Sequence, residues 1–151
     1  MAVAAADERV AETLVQALLA RGYRMFGALE HDSGRLSTVR LVAPTPVPVV
    51  AALLFASSGI EAEIVRAAER IQLLPELEAP VARVGHLVAM KLLARDDRRR
   101  PQDYDDLRHL LAEADDVELA RAREAVRLIQ QRGFARGKAL DVELEAMIAA
   151  R

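Results

Sequence analysis

The chain contains no cysteine. That excludes disulfides and every metal site built on thiolates. Its three histidines, His31, His86 and His109, have no H-x-x-x-H spacing, so a zinc centre built on imidazoles is not expected either. Aromatic residues make up only 3% of the 151 positions, so the core has to be built from Leu, Val, Ala and Ile. No apolar run reaches the length of a bilayer span. The opening MAVAAADERV has neither the basic start nor the apolar stretch of a secretory signal. The chain is therefore expected to lie in the cytoplasm, with no membrane partner. Neither charge is in strong excess: the formal net charge is −2, which argues against nucleic-acid binding by the whole surface but leaves a local basic patch open. There is no P-loop, no G-x-G-x-x-G, no nucleophile elbow and no internal repeat. What is plentiful is apolar: 52% of the residues, enough for one domain with a genuine core. The excess of Ala and Arg over Lys points to a GC-rich bacterial genome.

The first half mixes strands and helices. Asp7 to Ala20 reads as a helix with Val10, Leu14, Ala17 and Leu18 on its apolar face, widened by Val15 and Leu19, and Gly22 stops it. Tyr23 to Ala28 and Arg35 to Val42 read as strands joined through a turn, HDSG, at His31 to Gly34. Pro44, Pro46 and Pro48 punctuate the next connection. The apolar run Val49 to Phe55 fits a strand buried on both faces, with a short helix as the competing reading. A helix follows from near Gly59, with Ser57 or Ser58 as its cap and Ile60, Ile64, Val65 and Ala68 inward. Ile71 to Leu74 reads as a short strand and LPELEAPVA as a loop. From there on the pattern is helical. Asp115 or Asp116 caps a helix to about Gln131, and Lys138 to Ala150 forms the last one. The fold class is α+β (α/β-like), a small mixed sheet flanked by helices with a helical C-terminal half. As domains, residues 1–80 form a core of helix plus strands and residues 81–151 a helical half packed on it, together one unit.

The stretch from Val81 to Leu111 is the chemically informative one. Between His86 and Ala94 the only strongly charged residue is Lys91. A lysine in an apolar helix must meet a negative partner, titrate to neutral or face a wet cleft. Pro101 marks the start of the next helix. Helical spacing turns Asp103 inward with Leu107, Leu110 and Leu111, places Asp106 at the edge of that stripe, and turns Asp105 to water. Lys91 and Asp103 are thus candidates for a phosphate-holding lysine with an aspartate beside it, or for a plain salt bridge between two helices. The run RDDRRR places Arg98 and Arg100 as candidate phosphate or RNA contacts, or as a solvated turn. Ser57 and Ser58, with the amides of the helix start behind them, are candidate anion contacts, or plain caps. His86 reads as a satisfied core or boundary histidine.

These residues resemble a known family. HLVAMKLLA (residues 86–94) followed by RRRPQDYDDL (residues 98–107) looks like the nucleotidyltransferase-fold proteins of the AbiEii type, the toxin halves of type IV toxin–antitoxin systems. ALLARGYR (17–24), LLFASSGIE (53–61) and RGFARGKAL (132–140) carry the likeness across nearly the whole chain. The resemblance implies transfer of a nucleoside monophosphate from an NTP to an acceptor with Mg²⁺, and in studied toxins the acceptor can be tRNA. It implies that Lys91 contacts the nucleotide phosphates, and that Asp103, with Asp106 beside it, belongs to the last active-site motif. Gln102 stands where the family commonly has lysine.

The departures bear on activity. Family members carry a D-x-D on an early strand, followed by a stretch like A-V-A. That stretch here is Ala2 to Ala4, and no D-x-D is present. A third carboxylate belongs on the buried strand, where this chain has Ala52. Two expectations result. One is a degenerate, non-catalytic domain with a residual nucleotide or phosphate cleft around Lys91 and Asp103, paired as a homodimer or with a partner protein through an exposed sheet edge. The other is an active Mg²⁺-dependent enzyme whose D-x-D segment lies outside the chain, with Asp32 or Glu30 as substitute acids. No metal ligand is assigned from the sequence. Mg²⁺ and NTP belong to the second expectation only.

Overall fold

The computed structural model describes residues 2–3, 8–30, 36–47, 49–55, 58–96 and 102–151. The chain divides into two units, residues 1–57 and 58–151. The sequence-predicted turn at His31 to Gly34 lies outside the described residues, as do Asp32, Ser57, Arg98, Arg100 and Pro101.

In the first unit one helix, α1 (Glu8–Leu19), lies with a four-stranded sheet. The strands are β1 (Ala2–Val3), β2 (Arg24–Glu30), β3 (Leu36–Val42) and β4 (Val50–Phe55), in the order β1-β4-β3-β2. β2 and β4 run antiparallel to β3, whereas β1 runs parallel to β4, with Ala2 beside Leu54 and Val3 beside Phe55. The sheet is therefore mixed, and the run Val50–Phe55 is a strand rather than a helix. Strand alternation explains the core. Val39 and Leu41 of β3 and Leu53 and Phe55 of β4 are buried together with Ala11 and Val15 of α1. By the same alternation Ala52, between Ala51 and Leu53, lies on the other face of β4. The apolar face of α1 is the expected one except at its start: Val15 is buried in this cluster and Leu14, Leu18 and Leu19 pack on it, but Val10 is 46% exposed and Ala11 takes the core position. Ala11, having no more than a methyl group, fits where Val10 would hold the helix away.

The second unit begins with α2 (Glu61–Ala67) and a two-stranded ribbon, β5 (Glu69–Leu74) paired antiparallel with β6 (Leu77–Val81). β6 corrects the loop expected for LPELEAPVA. In a two-stranded ribbon every strand is an edge, and an edge strand tolerates proline. Four helices follow: α3 (Val84–Ala94), α4 (Gln102–Glu113), α5 (Asp116–Gln131) and α6 (Leu140–Ala149). Asp115 caps α5, its carboxylate accepting from the Glu118 amide at 2.8 Å. Leu119, Ala122, Val126 and Ile129 are buried, as are Leu140, Leu144 and Met147, which is the inward face the helical spacing predicts. Mixed sheet first and helices after give an α+β architecture. No described helix is long and apolar enough to cross a membrane.

The start of α2 also differs from expectation. No side chain caps it: Ile60 stands at the N-cap position. The polarity is reversed, with Glu61 reaching back to accept from both the amide and the hydroxyl of Ser58, at 2.7 and 2.8 Å. Gly59 makes the bend with φ +74°, and a Cβ there would enter the ring of Phe134. Only glycine meets both demands without strain.

Candidate functional site

α3 is apolar almost throughout, so its orientation is set by what its few polar groups reach. Val88, Ala89, Leu92 and Leu93 are buried. Lys91, about a third exposed, extends to α4 and meets two carboxylates there, Asp103 Oδ1 at 3.2 Å and Asp106 Oδ2 at 2.6 Å. Asp103 is buried, Asp106 about half exposed, and Asp105 faces out, as the helical spacing indicates. The hydrogen bond that Lys91 donates to Asp106 leads the effects that raise the Lys91 pKa, opposed by burial and reinforced by Asp103. The ammonium is therefore charged at neutral pH. Because the folded pKa lies above the ordinary lysine value, this contribution to stability is complete at neutral pH and disappears only as pH rises through the folded pKa.

Both ends of α3 are held from a distance, by residues that the sequence reading did not single out. At the N-terminal end Glu118 of α5 is buried, its Oε2 accepting from the Gly85 amide at 2.7 Å and its Oε1 from Arg83 Nε at 2.9 Å. α3 has no acidic residue in its first turn and no side-chain cap of its own, so Glu118 serves as its anionic cap from another helix. At the C-terminal end Lys138 points its ammonium at three carbonyls, those of Leu92 (3.3 Å), Leu93 (2.9 Å) and Arg95 (2.7 Å). These are acceptors that a helix end leaves unsatisfied. Lys138→Met keeps the stem and removes the donors. It is expected to cost about 1–2 kcal/mol of unfolding free energy, measured in urea; a loss below about 0.3 kcal/mol would mean that water replaces the ammonium at no cost.

The predicted site residues thus separate. Lys91, Asp103 and Asp106 come together in one cluster. The amide and hydroxyl of Ser58 are both taken up by Glu61, so an anion there would have to displace a carboxylate. Ser57, Arg98 and Arg100 lie outside the described residues. His86 corrects its expectation: it is buried at 6% exposure, but its Nδ1 has no hydrogen-bond partner among the described residues. Burial first, and Arg121 after it, hold its pKa below the ordinary imidazole value.

The chain as a whole matches a family model. Residues 7–150 fit the nucleotidyl transferase AbiEii toxin of type IV toxin–antitoxin systems. The chain belongs to the AbiEii family. No curated protein shows significant similarity to it. Membership raises the question of Mg²⁺, and the described residues do not fit that ion. Among them no three His, Asp or Glu side chains are grouped to hold a metal, and the two carboxylates that do converge close on an ammonium group.

Proposed function

We propose that this AbiEii-family domain has lost phosphoryl transfer and keeps a nucleotide- or phosphate-binding cleft centred on Lys91, with Asp103 and Asp106 as its partners. The observation that carries this reading is the Lys91 cluster, in which one charged ammonium is held by two carboxylates on the next helix. Phosphate oxygens suit a lysine as a point charge, and a triphosphate would replace the exposed Asp106 more readily than the buried Asp103. Phosphoryl transfer also needs paired metal-binding carboxylates to offset the charge on the transferring group, and Ala52 stands where the family resemblance calls for one of them. Under this reading Arg98 and Arg100 support the phosphates, and the domain works in the cytoplasm.

The alternative is an active Mg²⁺-dependent transferase with a D-x-D ahead of Ala2. The parallel run of β1 beside β4 favours considering it: Ala2 lies beside Leu54 and Val3 beside Phe55, so a strand continued ahead of Ala2 would run toward Ala52. As to partners, the family description points to a cognate antitoxin. The first unit's sheet ends on β2, where Phe26 is 67% exposed, and that edge is the proposed place for an antitoxin or a second copy.

Titrating the chain with each NTP, with and without Mg²⁺, tests the reading. The expected result is weak binding, indifferent to Mg²⁺, that Lys91→Ala reduces at least about tenfold. Mg²⁺-dependent binding, or labelling of tRNA from a labelled NTP, would overturn the loss of catalysis; unchanged binding by Lys91→Ala would remove Lys91 from the cleft.

A further inference from the structure

α3 carries its two unusual polar residues on different sides. His86 and Lys91 are five positions apart, about 140° around the helix, so what His86 faces is separate from the Lys91 cluster. It faces a cavity of about 490 Å³ bounded by α2, α3 and α5, within the range of small-molecule sites. Its apolar lining includes Ile60, Ala125 and Leu128, and Arg66 and Arg121 bring guanidinium groups to it.

The charges are arranged unevenly. Glu63 and Glu124 also line the cavity, but each is held by an arginine that does not. Arg132 pairs with Glu63 at 2.8 Å and Arg127 with Glu124 at 2.5 Å. Arg121 has only a long contact, 3.4 Å, to Glu118, whose carboxylate Arg83 holds more closely at 2.8 Å. Arg66 forms no ion pair among the described residues. The guanidinium groups of Arg66 and Arg121 are thus held less closely by carboxylates than those of Arg132 and Arg127, although the charge of Arg66 also acts on Glu63.

We propose that this cavity is a binding site for a small organic oxyanion, a carboxylate or phosphate carried on a compact apolar body. The apolar body packs on Ile60, Ala125 and Leu128. The anion is met by Arg66 and Arg121, beside the His86 ring that lines the cavity. This site does not depend on the nucleotide reading of the Lys91 cluster.

The probes are phenyl phosphate and benzoate, with inorganic phosphate for comparison, followed by the imidazole proton resonances of His86 in the full chain. Phenyl phosphate or benzoate is expected to shift those resonances saturably. Inorganic phosphate should bind about tenfold more weakly, lacking the apolar body, and Arg66→Gln with Arg121→Gln should weaken the organic probes by at least about tenfold. Arg66 is exposed and Arg121 partly buried; should the double variant unfold, the single exposed change Arg66→Gln is read instead, with a loss of about threefold expected. Resonances unmoved by about 10 mM of either organic probe, equal binding by inorganic phosphate, or undiminished binding by the arginine variants would overturn the proposal.

Discussion

Glu118→Ala is expected to cost about 3–5 kcal/mol of unfolding free energy, the range for removing one partner of a buried ion pair. Glu118 is 5% exposed and serves three donors, the Gly85 amide and the Arg83 and Arg121 side chains. Truncation leaves the Gly85 N–H without an acceptor at the start of α3 and leaves Arg83 half-buried beside the gap. Glu118→Gln keeps the shape and one acceptor oxygen, so its cost should be smaller, about 1–2 kcal/mol. The pH dependence gives a second readout. Burial raises the Glu118 pKa, but the Gly85 hydrogen bond, then Arg83 and Arg121, outweigh it, and the net shift is downward. A depressed folded pKa means that the contribution is present above the ordinary carboxylate value and is lost as pH falls through the folded one. The stability difference between the wild-type chain and Glu118→Gln should therefore hold at neutral pH and shrink in acid. Urea unfolding at several pH values measures both; an alanine cost below about 1 kcal/mol would show that the carboxylate is not what joins α3 to α5.

Gly85→Ala should be nearly as damaging, with a sign opposite to helix propensity. In an open helix the change is worth about 1 kcal/mol of stabilisation. Here a Cβ would overlap the Glu118 carbonyl oxygen and come within 2.8 Å of Arg121 Cβ and 2.9 Å of the Ala122 nitrogen. Two of those atoms are backbone, so no side chain can swing aside; α3 and α5 themselves must separate. A cost of about 3 kcal/mol, at the top of the usual range for overpacking, is expected. Gly27→Ala is the control, since nothing lies within 4 Å of its Cβ position; its effect should stay within about 0.5 kcal/mol. A neutral or stabilising Gly85→Ala would mean that the two helices are not in backbone contact.

The sequence made part of this visible. Lys91 and the three aspartates could be placed because one helical period relates residues on the same segment, and the inward turn of Asp103 followed from it. The strand at Val50–Phe55 could be read because its apolar run is short and bounded. Gly85 and Glu118 could not, because 33 positions separate them and no local period links such a pair. A weak signal existed: a glycine inside an otherwise unbroken helical pattern usually has a packing reason. Lys138 lies 43 to 46 positions from the carbonyls it reaches, and no local period links it to them. β6 was hidden by Pro80, whose tolerance depends on knowing that the ribbon has two strands. The imidazole of His86 looked ordinary because burial is legible in an apolar helix, whereas a missing hydrogen-bond partner is a property of three-dimensional neighbours.

A helix fastened by a carboxylate at one end and an ammonium at the other has little freedom to slide or rotate. α3 is such a rod, and it holds Lys91 on one side and His86 on another before any ligand arrives. An anion proposed to bind on either side would meet groups already in place and would not have to wait for the helix to reorganise. Association should then be a single fast phase whose rate rises linearly with ligand concentration. Loosening either fastening would show first as slower, multiphasic binding.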